Sequence, residues 1–420
     1  MSYEFLFVIL QIIKVFFAMI QTINFERYRI FSNKQSLRIA PLTVVFGLNN
    51  TGKSAVLKLP MIIRSSIACE TDNVFNKLDP SGLQLCEEYR DVVYGKGNNA
   101  VRLEFSDDND ETSVKVQFIA ETVAEKSHSR IEEIEIRDGQ KKLMVKTDDD
   151  GILRVEGSDN AISFCGLSPK EGELRDWVKS VLAKLNMNID YIGPVRCKME
   201  PYFKPEEHPD GTSGKDGKMA YTYLVNDAQN VLHPLLDKVS KWYEENFGGW
   251  RMDIDKSRHP VFSIELINDK LKNNLQDTGF GIQQSLPIVV AACRQYNNPT
   301  LIIIEEPETH LNPSAHAAIG ELLAKEAVED MNKSIMVETH SQNLMMRLRT
   351  LIAKGELKRE NVALYYVDYD KTTFKSNLRE VTIKDNGEVE NWPDHMFKDT
   401  LIEALALRNA QLGKSHESKD

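Results

Sequence analysis

Eight consecutive residues, Gly47-Leu48-Asn49-Asn50-Thr51-Gly52-Lys53-Ser54, fit the pattern G-x-x-x-x-G-K-[ST]. A loop of this kind turns main-chain N–H groups onto phosphate oxygens. Its Lys reaches the β/γ oxygens and its Ser hydroxyl is offered to Mg²⁺. Far downstream, Leu301-Ile302-Ile303-Ile304 runs directly into Glu305-Glu306. Four large apolar residues ending in paired carboxylates predict a buried parallel strand that delivers acids to its C-terminal edge. One acid there serves near Mg²⁺, and a second orients or deprotonates an attacking water. Lys333-Ser334-Ile335-Met336-Val337-Glu338-Thr339-His340 repeats the design, an apolar strand ending in a polar residue, with His340 placed to donate to a γ-phosphate. Between the phosphate loop and the acids, Asp277-Thr278-Gly279-Phe280-Gly281-Ile282-Gln283-Gln284-Ser285 sets glycines just before a helix running to Cys293. Glycines let main-chain N–H groups approach an anion, and the helix start adds the positive end of its dipole.

These groups need elements to hold them. Leu42-Thr43-Val44-Val45-Phe46 predicts a short buried strand leading into the phosphate loop, and a helix follows from Ser54 to about Arg64. Upstream, residues 20–39 predict two strands around Phe25–Phe31. Downstream, Val101–Phe105 alternates in polarity as a strand does. Residues 106–168 suggest β-hairpins built on Val114–Phe118, Ile131–Ile136 and Leu143–Val145, with turns at Asp138-Gly139 and Asp150-Gly151. An amphipathic helix is expected over Leu174–Leu185, and a strand entering a loop over Tyr191–Arg196. A polar, Gly-rich exposed loop is expected over 206–217. Asn226–Phe247 has helical spacing, with Leu232, Leu235, Leu236, Val239, Trp242 and Tyr243 on one face and Pro234 as its kink or true start. Strands at Met252–Ile254 and Phe262–Ile267 then precede the Gly279 segment. No internal repeat stands out, nor heptads long enough for a coiled-coil arm.

Composition narrows the class. With 41% hydrophobic and 27% charged residues, the 420-residue chain is ordinary for a globular protein. Its length admits two or three average domains or one large domain with an insertion. A net charge of −11 gives no bulk reason for nonspecific nucleic-acid binding, although it leaves a local basic groove open. The five cysteines lie far apart with no metal-ligand spacing, which reads as reduced structural thiols in a cytoplasmic protein. Phe5–Ile20 is strongly apolar but is interrupted by Gln11 and Lys14, and it falls short of the ~20 residues that span a bilayer. Glu4, with no cation before the apolar run, argues against a signal peptide. Residues 1–19 are therefore expected to be an apolar extension, with Met19 an alternative start, and membrane insertion is not expected.

In order, GLNNTGKS, DTGFGIQQ, LIIIEEPETHLNP and VETHSQNLMMRLR resemble the ABC-type ATPases of the OLD/RecF/SMC-like group. YIGPVR and the late Asn391-Trp392-Pro393 are similar to elements of its short, armless members. The resemblance implies an α/β P-loop NTPase, an ABC-ATPase head with a mixed sheet, an antiparallel β subdomain and a β/helical insertion. It would form one domain over 20–405 with the insertion at about 106–245, and a polar tail at 406–420. Carried over by position, the ATP-binding residues are Gly47, Asn49, Asn50, Thr51, Gly52, Lys53 and Ser54. Ser54 and Glu305 match the Mg²⁺-associated pair. Glu306 matches the catalytic carboxylate and His340 the switch His. Asn312 falls at the D-loop Asp, and Gly279, Phe280, Gly281 and Gln283 resemble the signature loop that contacts nucleotide in trans, without being LSGGQ. No residue is assigned to the Q-loop.

The expected function is an ATP-binding and ATP-hydrolysing switch. It closes as a homodimer or higher oligomer around nucleotide and controls a separately encoded effector, a nuclease or toxin, in anti-phage defence or DNA-linked processes. Nucleic acid stays open as a partner. An OLD-like nuclease is the first alternative, but only 80 residues follow His340, too few for a further nuclease domain beside the rest of the head. Asp368-Tyr369-Asp370 mimics only part of a metal motif. A transporter's nucleotide-binding subunit is the second alternative, opposed by the missing LSGGQ and the insertion.

Overall fold

Apolar runs with no polar alternation mark strands covered on both faces, and three such runs lie side by side in the computed structural model, which describes residues 19–207 and 209–393. The central sheet has six strands in the order Asn188–Ile192, Thr300–Glu305, Lys333–Thr339, Leu42–Gly47, Val362–Asp370 and Lys375–Glu380. The first five run parallel, and the last turns back antiparallel as a hairpin. Every residue of Leu42–Gly47, Thr300–Glu305 and Lys333–Thr339 is buried. The two-residue period of a strand divides these runs between two cores. Val45, Ile303 and Met336 enter one core, while Val44, Phe46, Ile302, Ile304, Ile335 and Val337 enter the other.

The first core is closed by the helices Lys53–Leu57 and Leu59–Ile67 and by a second, antiparallel sheet of seven strands. Its order is Gln35–Arg38, Thr22–Glu26, Val101–Ser106, Thr112–Val123, Lys126–Asp138, Lys141–Thr147 and Leu153–Val155. The second core packs the helices Phe280–Cys293, Pro313–Glu329 and Gln342–Ala353 on the other face, with Met219–Ala228 and Pro234–Asn246 beyond them. A three-stranded antiparallel sheet, Arg251–Asp255, Ser263–Asn268 and Leu271–Asn274, feeds the Gly279 segment.

Several expectations are refined. The hairpin after Val101–Ser106 is longer than predicted, since its strands extend to Val123 and from Lys126. Its turn is Ala124-Glu125, at φ +48° and +63°, a geometry that usually draws Gly or Asn. Of the two readings for Pro234 within 226–247, the structure has the true start: Pro234 opens the helix Pro234–Asn246, separate from Met219–Ala228, and at that position its missing N–H costs nothing. Leu232 therefore sits in the connection, 81% exposed, rather than in the core. Segment 206–217 is docked rather than wholly exposed. Ser213 is fully buried, and the Asp190 carboxylate accepts from its N–H (2.7 Å) and its hydroxyl (2.8 Å). Within residues 106–245, the hairpins continue the antiparallel sheet and Asn188–Ile192 forms an edge of the central one. The readings of residues 1–18 and of 406–420 lie outside the described residues.

Candidate nucleotide site

Strand register builds the site. Glu305 pairs laterally with Glu338, Thr339 with Phe46, and Val367 with Gly47, so three strands end together at one edge beside Val362–Asp370, which runs on to Asp370. The phosphate loop leaves that edge at Gly47 and enters the helix at Lys53. Asn50 and Gly52 adopt positive φ, +60° and +101°. At Gly52 a Cβ would stand 2.6 Å from Ile30 Cδ1, so the loop is pressed against the Ile30–Phe31 segment and tolerates no side chain there. The Thr51 hydroxyl donates to the Leu48 carbonyl (2.9 Å), and Ser376 donates to the Thr51 carbonyl (2.7 Å), tying the loop to the hairpin beyond it.

Lys53 is 4% exposed. Its ammonium donates to the Leu48 carbonyl (2.7 Å) and lies 3.6 Å from Glu338 Oε1. The Ser54 hydroxyl donates to Glu338 Oε2 (2.7 Å). The predicted Mg²⁺ pair, Ser54 and Glu305, is not in direct contact, because Ser54 meets Glu338 while Glu305 Oε1 accepts from the buried Tyr191 hydroxyl (2.9 Å). In the sequence Glu338 lies inside an apolar strand and not at its end. The signal that finds it is its depth, since an acid one residue before the strand end lies level with Glu305 once the strands pair in parallel.

Glu306 has φ +47°, a conformation that costs a non-Gly residue roughly 1–2 kcal/mol. Three contacts hold it. Its N–H donates to the Glu338 carbonyl (2.8 Å), its carbonyl accepts from Arg196 (2.9 Å), and Thr309 donates to its Oε2 (3.1 Å). The same Arg196 nitrogen donates to the Glu305 carbonyl (2.6 Å). In the sequence, Tyr191 and Arg196 belong to YIGPVR and carry no site signal of their own. Glu308, also unassigned, accepts from the Thr339 hydroxyl (2.8 Å) and the His340 N–H (2.6 Å), which fixes the strand end that carries His340.

Burial governs the electrostatics. It raises the Glu338 carboxyl to about 6, with neighbouring Glu305 pushing the same way and the Ser54 hydrogen bond and Lys53 opposing. Burial also raises Glu305, against the Tyr191 hydrogen bond and Lys58. It lowers Lys53, against the pull of Glu338, and it lowers His340 with help from Lys53. Ligand atoms of Glu306, Glu338 and His340 lie within 4.8 Å of one another. The carboxylate oxygens, with the Ser54 hydroxyl 2.7 Å from Glu338, suit a hard divalent cation such as Mg²⁺.

The remaining predicted residues fall nearby with mixed geometry. Gly279 caps the helix Phe280–Cys293, a Cβ added to it would meet nothing within 4 Å, and Phe280 is 48% exposed. Gln283 is buried instead, its amide donating to the carbonyls of Gln276 (2.9 Å) and Thr278 (3.0 Å). At Gly281 a Cβ would stand 2.4 Å from the His310 carbonyl oxygen, so this glycine permits contact with the loop after Glu306. Asn312 is exposed and caps the helix Pro313–Glu329 through Ala315 N–H (3.0 Å). The Asp370 carboxylate is taken up in its own turn by Thr372 and Thr373.

Comparison with known proteins fits this layout. Residues 206–345 match the AAA ATPase domain family, and residues 357–407 match a family described as a protein of unknown function (DUF3696). No curated protein matches. Among solved structures, the SmcHead bound to the C-winged helix domain of ScpA is similar over 87% of this chain and 98% of that one, at 12% identity and a TM-score of 0.50. The fold is that of an SMC-type ATPase head. Two further SMC heads match over 87% of this chain. One, from Pyrococcus furiosus with an extended coiled coil and bound to the C-terminal domain of ScpA, has 96% of its chain covered at 12% identity and a TM-score of 0.46. The other, from Thermotoga maritima, has 100% covered at 10% identity and a TM-score of 0.41. In this head the AAA match takes in Gly279–Gln283, Glu305, Glu306 and His340, while the phosphate loop lies upstream of it. Among the described residues, no helix is long and apolar enough to cross a membrane.

Proposed function

We propose that this chain binds and hydrolyses ATP and uses the cycle to open and close a dimer. One observation carries the reading. Lys53 and Ser54 of the phosphate loop, Glu305 and Glu306, Glu338 and His340 converge at the shared C-terminal edge of adjacent parallel strands, the place where α/β sheets hold ligands. Lys53 would neutralise the β/γ-phosphates, and Ser54 with Glu305 and Glu338 would hold Mg²⁺, which supplies charge neutralisation on the phosphates. Glu306, held in a fixed backbone conformation, would orient and deprotonate the attacking water. His340 would donate to the γ-phosphate, its lowered basicity keeping the ring neutral at pH 7.

Closure as a dimer is supported by the exposure of Gly279 and Phe280 at a helix start, where a second copy would meet nucleotide. Control of a separately encoded nuclease or toxin, in anti-phage defence or a DNA-linked process, rests on the resemblance to the OLD/RecF/SMC-like group. Nuclease action by this chain is opposed by Asp370, whose oxygens already cap a turn.

The test is Glu306→Gln, which keeps shape and hydrogen bonding but removes the base. ATP should still bind while hydrolysis falls ~10²-fold or more, and light scattering should show a dimer with ATP but not with ADP. Normal turnover, or an oligomeric state indifferent to ATP, would overturn the reading.

A further inference from the structure

We infer that Glu338 makes nucleotide loading conditional on a divalent cation, by occupying in the nucleotide-free chain both side chains that the phosphates and the metal require. This rests on the nucleotide-site reading above and adds a control to it.

One carboxylate reaches both groups. Its Oε2 accepts from Ser54 at 2.7 Å, and its Oε1 lies 3.6 Å from the Lys53 ammonium, which also donates to the Leu48 carbonyl at 2.7 Å. Lys53 and Ser54 are thus folded onto the protein rather than displayed to a ligand. The Lys53 and Glu338 side chains are 3% and 6% exposed, so bulk water screens their interaction little.

Charge then decides what can enter. Glu305 and Glu306 stand beside Glu338 at the strand ends, so three carboxylates face one ammonium. For the hydrolytic chemistry, one acid near the metal and one beside the water suffice. Glu338 is a third. A bare triphosphate must pull Lys53 and Ser54 away from it while sitting against its unneutralised charge. A triphosphate carrying its cation meets the same carboxylate as a ligand. Glu338 therefore gives up Ser54 only where its charge is compensated, and loading selects the metal complex over free ATP. A like-charge contact at a few ångströms in a partly buried site is on the order of 10²–10³-fold in affinity.

The experiment measures binding of a fluorescent ATP analogue to the full chain, in Mg²⁺ and in EDTA, for wild type, Glu338→Gln and Lys53→Ala. The amide of Glu338→Gln has the same shape and its oxygen still accepts from Ser54, so fold and pocket are retained, which a thermal melt checks. Wild type should bind at least ~10²-fold more tightly in Mg²⁺. Glu338→Gln should shrink that ratio tenfold or more, chiefly by gaining affinity in EDTA. Lys53→Ala should lose binding in both conditions. Wild-type binding that differs less than threefold between Mg²⁺ and EDTA overturns the inference without reference to any variant. So does a Glu338→Gln ratio equal to wild type. A wild type that binds in neither condition, or a Lys53→Ala chain that binds normally, instead overturns the nucleotide-site reading itself.

Discussion

Glu308 and His340 are joined through the main chain, Glu308 Oε1 accepting the His340 N–H at 2.6 Å while also accepting the Thr339 hydroxyl at 2.8 Å. The strand that supplies the acids thereby sets where the neighbouring strand ends. Glu308→Ala leaves two donors without a partner in a site where Glu308 is only 9% exposed. The expected cost is about 1–3 kcal/mol in denaturant unfolding. Turnover should fall about tenfold or more through misplacement of His340, with ATP affinity held within about threefold because the phosphate loop is untouched. Glu308→Gln keeps an acceptor oxygen and should lie between. Full turnover in Glu308→Ala would show that the His340 position is set elsewhere.

Arg196 bridges the carbonyls of Glu305 and Glu306 from a site only 5% exposed. It holds the Glu306 backbone at its positive φ. Arg196→Lys retains the charge but places a single ammonium on a more flexible stem where a planar guanidinium fits. We expect kcat to drop on the order of 10-fold to 100-fold, since small displacements of a positioned base are costly, with KM for ATP nearly unchanged. A rise in KM with kcat preserved would assign Arg196 to nucleotide binding instead.

Gly279 and Gly281 offer a paired test of the helix start they share. Gly281→Ala forces a Cβ to within 2.4 Å of the His310 carbonyl oxygen, and overpacking against backbone costs about 1–3 kcal/mol. Gly279→Ala meets nothing within 4 Å, so the monomer should melt as wild type does. If the exposed face of this turn meets nucleotide in the second copy, Gly279→Ala should nonetheless weaken the ATP-driven dimer of the Glu306→Gln chain. An unchanged dimer would mean that the segment serves only its own chain.

Much of this head could be read from the residues alone, and the misses have physical causes. Buried parallel strands announce themselves as apolar runs, so Leu42–Gly47, Thr300–Glu305 and Lys333–Thr339 lie where the runs predicted. The helix Leu174–Leu185 matches its predicted span because its apolar residues recur at helical spacing. Glu338 is not legible in the sequence because its importance comes from lateral register with Glu305, a non-local relation that no single strand displays. Tyr191 and Arg196 act across the sheet for the same reason. The turn at Ala124-Glu125 lacks the Gly or Asn that normally marks φ > 0, so the long hairpin outvotes local preference. Gln283 could face outward or inward at its helix start, and only packing against the Gln276–Thr278 turn selects inward.

Alkaline pH should unfold this head earlier than its acidic composition suggests. Burial raises the Cys86 thiol to about 11 and the Cys293 thiol to about 12, and it raises the Tyr365 hydroxyl to about 12. In the unfolded chain these groups ionise near 8.5 for thiol and 10 for phenol. A folded value above the unfolded one means that the folded state holds its proton longer. The stabilisation is therefore complete below about pH 8.5 and is lost as pH climbs toward 11 and 12. Each group releasing a proton only on unfolding removes about 1.4 kcal/mol per pH unit in that window. The melting temperature should be flat from about pH 7 to 8.5 and fall steeply by pH 10.5. Cys293→Ala should flatten the first part of that fall, and at pH 8 neither Cys86 nor Cys293 should react with a thiol reagent until denaturant is added. A melting temperature that holds to pH 11, or prompt modification of both thiols in the folded chain, would show that these groups are open to solvent.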